Sequence, residues 1–139
     1  MEIREFRQTD QEAVINLWKD CGLLVQWNDP LKDIQRKLKI APDLFLVGEL
    51  SGRVVATVMG GYDGHRGWIN YLAVSPEHQK TGYGRLIMES VESRIKAKGC
   101  PKINLQVRES NTDIIKFYQA IGYDQDNVVS LGKRLEQDN

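Results

Sequence analysis

The chain has 139 residues, 41% of them hydrophobic and 27% charged, with 19 basic side chains balanced by 19 acidic ones. That length and usage suit a soluble globular domain, and the absence of net charge argues against a nucleic-acid or membrane-surface partner. Two cysteines (Cys21 and Cys100), a start without an apolar h-region and no apolar run of bilayer length are expected of a cytoplasmic protein with reduced thiols. No repeat or Pro/Gly-rich linker interrupts the chain, so residues 1–139 are read as a single domain.

The pattern predicts a short strand over 3–6. Thr9 and Glu12 then have capping-box spacing, ahead of a helix with Ala13, Val14, Leu17, Trp18 and Cys21 on one face. Asp29-Pro30 starts a second helix that turns Leu31, Ile34 and Leu38 inward. Strands over 44–50 and 54–60 are joined by Ser51-Gly52-Arg53 as a hairpin. A glycine-rich loop, Gly60 to Gly67, leads to a strand over 68–74. A helix over 84–98 stops at Gly99-Cys100-Pro101, a strand follows over 103–107, and a helix spans 111–121 with Gly122 as its stop. Closing strands are expected at 123–124 and 128–135. The strand–helix–strand crossover in the second half implies a parallel, right-handed pair.

The segment that points to chemistry runs from Leu72-Ala73-Val74 through Gln79-Lys80-Thr81-Gly82-Tyr83-Gly84-Arg85. It lies where a strand ends and a helix begins, so free N–H groups and the positive end of a helix dipole face one concavity. Gly82 and Gly84 let main chain come close to an anion, and Lys80 and Arg85 add positive charge. The site suits a phosphate or pyrophosphate. It is neither a Walker A loop nor a dinucleotide fingerprint, and the glycines alone are equally consistent with a tight turn that caps a helix.

Further on stand Gln106-Val-Arg-x-Ser-Asn111, Phe117-Tyr118 and Gly122-Tyr123. In this order and spacing the sequence resembles the GNAT superfamily of N-acetyltransferases. The likeness spans essentially the whole chain and is most specific from Tyr71 to Tyr123. Through Trp27-Asn-Asp-Pro30, Gly60 to Gly67, Gly99 to Ile103 and Ser130 to Leu135 it is most similar to the bacterial YpeA-type acetyltransferases, and more distantly to the ribosomal-protein alanine acetyltransferases.

The resemblance implies an α/β (α+β) fold: a mixed, mostly antiparallel sheet of six to seven strands with a splayed parallel pair, and about four helices. It implies acetyl-CoA as cosubstrate. Main chain from Lys80 to Arg85, including Thr81 and Tyr83, would bind the pyrophosphate after Gln79. Leu72, Ala73 and Val74 would hold the pantetheine arm, with Asn111 on the other wall, and Tyr118 would act as general acid toward the sulfur. A main-chain N–H near Leu72 could stabilise charge on the acetyl oxygen. Transfer to a primary amine would be direct, within a ternary complex.

Each residue also has a simpler reading. Tyr118 lies on the apolar side of its helix and could be core, and Asn111 could be an N-cap. Two histidines and two cysteines match no zinc spacing, so no metal is expected. His78 is read as exposed and inert. Trp27, Asn28 and His65 are candidates for the acceptor side, with His65, Asp63 and Glu49 the available bases. Gln106 stands where the ribosomal-protein relatives carry a glutamate, and it cannot act as a base. The expected partner is a small-molecule or peptide amine, with a homodimer through the edge at 128–135 open. A CoA-binding regulatory module without turnover is the rival from another class.

Overall fold

The computed structural model describes residues 1–138 as two compact units: Met1–Leu105 with Asp138, and Gln106–Gln137. The first unit contains a five-stranded sheet in the order β1-β2-β3-β4-β5. Its strands are β1 (Glu2–Glu5), β2 (Phe45–Leu50), β3 (Arg53–Tyr62), β4 (Gly67–Val74) and β5 (Ile103–Leu105). The first four run antiparallel and β5 joins β4 in parallel. Helices α1 (Gln11–Asp20), α2 (Pro30–Lys39) and α3 (Tyr83–Ala97) belong to this unit, and α4 (Thr112–Ala120) to the second.

The strand period of two divides the sheet residues between two cores. Phe45, Val47, Met59 and Ala73 pack with Val14, Leu17 and Trp18 of α1 and Ile34 of α2. On α3, Ile87, Met88, Val91 and Ile95 are fully buried. Gly60 shows how closely that helix lies on the sheet, because a Cβ there would sit 2.6 Å from a Val91 methyl. The glycines at 60 and 61 therefore belong to β3, paired with Ile69 and Trp68. The expected long loop shrinks to a turn at residues 63–66.

Three other expectations change. Thr9 does not cap α1; it sits in a short 3-10 turn, Gln8–Asp10, where Asp10 accepts from the Arg7 N–H at 2.8 Å. Ala13 and Leu31 face outward rather than into the core. The strands expected at 123–124 and 128–135 are absent, which leaves five strands rather than six or seven. A strand must satisfy its main chain against a neighbouring ladder. Residues 128–135 join none, and Val129 and Leu131 stay 85% and 91% exposed. The edge expected there for self-pairing is not formed.

Candidate active site

Strands β4 and β5 share only the rungs Gly67–Ile103, Trp68–Asn104 and Ile69–Leu105. Beyond Ile69 the ladder stops while β4 continues to Val74, so one side of β4 is unpaired over its last turn-ward residues. The Ser75 N–H donates to Val55 O on β3 at 2.8 Å, which fixes the alternation. Val74 and Leu72 therefore turn their main-chain groups away from β3. Val74 O meets Gln79 Nε2 at 3.0 Å and Cys21 Sγ at 3.2 Å.

A bulge interrupts β4 beside this edge. Thr57 opposes Ala73 while Met59 opposes Asn70, so two steps on β3 match three on β4. Tyr71 takes φ +52°, a left-handed conformation unusual for an aromatic residue. Three contacts hold it there. Its ring stacks on Trp18 at 3.9 Å, its carbonyl accepts from Thr57 Oγ1 at 3.1 Å, and its hydroxyl donates to Asp33 Oδ2 at 2.6 Å. Thr57 in turn accepts from Trp18 Nε1 at 3.0 Å. Burial beside the Asp33 carboxylate pushes the Tyr71 phenol well above its ordinary pKa.

After β4 the chain makes a short turn, Pro76–His78, then enters α3 through Lys80 and Gly82 at φ +62° and +88°. The N-cap Gly82 brings no side chain to the first turn. Among the described residues the N–H groups of Lys80, Thr81, Gly82, Tyr83 and Gly84 donate to no acceptor. A Cβ built on Gly82 would touch nothing within 4 Å, so the turn is open to an approaching group. These donors at a helix N-terminus fit a pyrophosphate. His78 is half-buried rather than exposed, stacked on Tyr83 at 6.1 Å, with a buried Nδ1 that has no partner.

A pocket of about 450 Å³ adjoins the bulge on the α2 side. Asp33, Arg36 and Lys37 of α2, with Ile40 just past its end, form one wall, and Met59, Asn70 and Tyr71 of the sheet form the other. Asn28 completes the lining. Trp27 is half exposed and does not line it. Asp29 caps α2, accepting from the N–H groups of Leu31 and Lys32.

The base candidates are not brought to this pocket. His65 lies exposed in the β3–β4 turn, and Asp63 Oδ1 accepts from the N–H groups of His65 and Arg66 at 2.8 and 2.7 Å. That turn precedes β4, whereas Leu72 and Val74 are near its other end, roughly 20 Å along the strand. Glu49 is ion-paired to Arg4 at 2.9 Å. In the second unit, Gln106 hydrogen-bonds Ser130, and Asn111 caps α4 by accepting from Ile114 N at 3.4 Å. Tyr118 is buried, edge-on to Phe117 and Tyr123, and burial raises its pKa.

Asp33, Lys37, Asn70 and Thr57 carry no motif, and only the fold shows their place. An Asp and a Lys four apart on a helix was the available signal, but it equally describes a solvated face.

The acetyltransferase (GNAT) family matches residues 6–123, which takes in the bulge, the turn before α3 and α4. The chain belongs to this family. An acetyltransferase of Pectobacterium atrosepticum is 51% identical over 138 residues, covering 99% of this chain and 98% of that protein. Among solved structures, Ard1 from Thermoplasma volcanium superposes with a TM-score of 0.75 at 27% identity, over 87% of this chain and 80% of that one. The aminoglycoside acetyltransferase AAC(6')-Iy, in complex with a bisubstrate analogue of CoA and acetylneamine, gives a TM-score of 0.78. Its identity is 20%, over 96% of this chain and 97% of the other, so it bears on the fold alone. The mixed sheet with a parallel β4–β5 pair is the fold of this family.

Proposed function

We propose that this GNAT acetyltransferase moves an acetyl group directly from acetyl-CoA to a primary amine, with both substrates bound together. The observation that carries the reading is the set of undirected N–H groups from Lys80 to Gly84 at the start of α3. Main-chain donors on a helix N-terminus favour an anion with two phosphates, and the family match makes the CoA pyrophosphate the natural occupant. Lys80 and Arg85 add charge there. Leu72, Ala73 and Val74 supply the unpaired edge for the pantetheine arm, and Gln79, by holding Val74 O, keeps that edge aligned with the turn. The bound donor supplies an activated acetyl thioester.

The bulge gives the edge its chemical use. With Tyr71 held in a left-handed conformation, the N–H of Leu72 is pre-set as a donor for charge developing on the acetyl oxygen. Fixing that donor before the reaction avoids reorganisation during it. Asn111 and Tyr118 are assigned through the family likeness, as a donor to the pantetheine arm and a proton donor to the leaving sulfur. Burial keeps the Tyr118 hydroxyl protonated across the working pH range, so it carries the proton that a donor to the leaving sulfur needs.

Thiol release from acetyl-CoA in the presence of an amine panel tests the proposal, alongside thermal melting with acetyl-CoA alone. Ligand at 100 times Kd should stabilise the protein by about 2.7 kcal/mol. Stabilisation with turnover supports the enzyme, stabilisation without turnover on any amine supports a CoA-binding module, and neither effect rejects both.

A further inference from the structure

The pocket beside the bulge has a charge arrangement that selects among amines. Lys37 is half-buried on α2, and its ammonium group donates to the carbonyl of Gly60. It forms no ion pair among the described residues. Asp43, the carboxylate whose charge it feels, is already bound by Lys98 at 2.9 Å. Burial lowers the Lys37 pKa, which is the sign of a cation short of compensation.

Asp33 lies four residues earlier on the same helix, so its side chain is one turn away on the same face, about 5–6 Å between Cβ atoms. One carboxylate oxygen accepts from Tyr71 and the other lies 3.5 Å from Arg36. Arg36 is committed elsewhere, with a two-point pair to Asp138 at 2.7 and 2.9 Å. With Arg36 held by Asp138, the pocket offers the Asp33 carboxylate and the Lys37 ammonium one helical turn apart, with Ile40 and Met59 as its apolar lining.

Resting on the acetyl-transfer reading, we infer that the acceptor is a small amine that carries its own carboxylate, a free amino acid, with its carboxylate on Lys37 and its ammonium beside Asp33. The two charges of an amino acid are close enough to meet both groups at once. The carboxylate gives Lys37 the counter-ion that the protein withholds. The ammonium meets Asp33 beside Tyr71, one residue from the Leu72 edge. A polycationic acceptor meets the opposite situation, since Lys37 and Arg36 both line the pocket.

The test is equilibrium binding by calorimetry to the full chain with CoA present, using each of the twenty amino acids against its carboxamide. Neamine and an uncharged N-terminal peptide complete the probes. At least one amino acid should bind ten-fold or more tightly than its amide. Lys37→Met should abolish that ratio and Lys37→Glu should invert it, while both variants keep their thermal stabilisation by CoA. Equal binding of acids and amides, no binding of any amino acid, preference for neamine or the peptide, or a ratio untouched in Lys37→Met would each overturn the inference. Those results leave the acetyl-transfer reading intact if CoA still stabilises the protein; loss of that stabilisation in the wild type removes the broader reading instead.

Discussion

Thr57 holds Tyr71 by its main chain: the threonine hydroxyl donates to the tyrosine carbonyl at 3.1 Å while accepting the Trp18 indole N–H at 3.0 Å. One fully buried hydroxyl therefore satisfies two polar groups of the core and fixes a left-handed residue in the middle of a strand. Without it, the bulge would have to be held by ring stacking and the Asp33 contact alone.

Replacing Thr57 by Val keeps the volume and removes both bonds. The Trp18 N–H is then left buried without a partner, which costs about 1–3 kcal/mol. Denaturant unfolding should show that loss, and kcat should fall as the Leu72 donor loosens, with acetyl-CoA affinity little changed. Thr57→Ser should recover most of both, because it retains the hydroxyl.

Gly82 tests the turn before α3. Alanine at φ +88° should destabilise the chain by about 1 kcal/mol through backbone strain, since a Cβ there meets nothing. Aspartate adds like charge beside a pyrophosphate and should weaken acetyl-CoA binding at least ten-fold in calorimetry. Gly52→Asp is the control: φ is +78° in the β2–β3 turn, so strain is similar and affinity should not move.

Tyr118→Phe removes only the hydroxyl. If that group donates to the leaving sulfur, kcat should drop roughly 10²-fold or more in steady-state thiol release, within the range of general acid catalysis. Acetyl-CoA binding should stay within two-fold. An unchanged kcat would reduce Tyr118 to a core residue.

Acid stability should depend on Asp10. Arg4 donates to both of its oxygens, at 2.8 and 2.9 Å, and this pairing lowers the Asp10 pKa in the folded chain. A carboxylate with a depressed folded-state pKa stabilises above its unfolded pKa of about 3.9, and that contribution is lost as pH falls through the folded value. Below about pH 4 the wild type should therefore lose stability that Asp10→Asn already lacks. Melting curves from pH 7 to 2 should converge for the two proteins, from an initial gap of about 2 kcal/mol.

The parts of this protein legible in its sequence are those made by neighbours along the chain. Asp29-Pro30 starts α2 because an N-cap carboxylate and a proline act within one turn. The segment from Gln79 to Gly84 reads as an anion site because the strand end, the glycines and the helix start are consecutive. The alternation in β2, β3 and β4 was readable for the same reason, but at 128–135 it misled, since an apolar pattern says nothing about whether a partner strand is available.

What only the tertiary structure decided is the pocket and the shape of its floor. Asp33 and Lys37 look like an ordinary solvated helix pair until α2 lies across β3 and β4. Thr57 looks like any β-branched strand residue until Trp18 and Tyr71 meet it. Their roles come from contacts 14 to 39 residues apart, and no local propensity records such distances. Helix caps and turns are set by forces that act within a few residues; the charge balance of a cleft is set by which elements the hydrophobic core brings together.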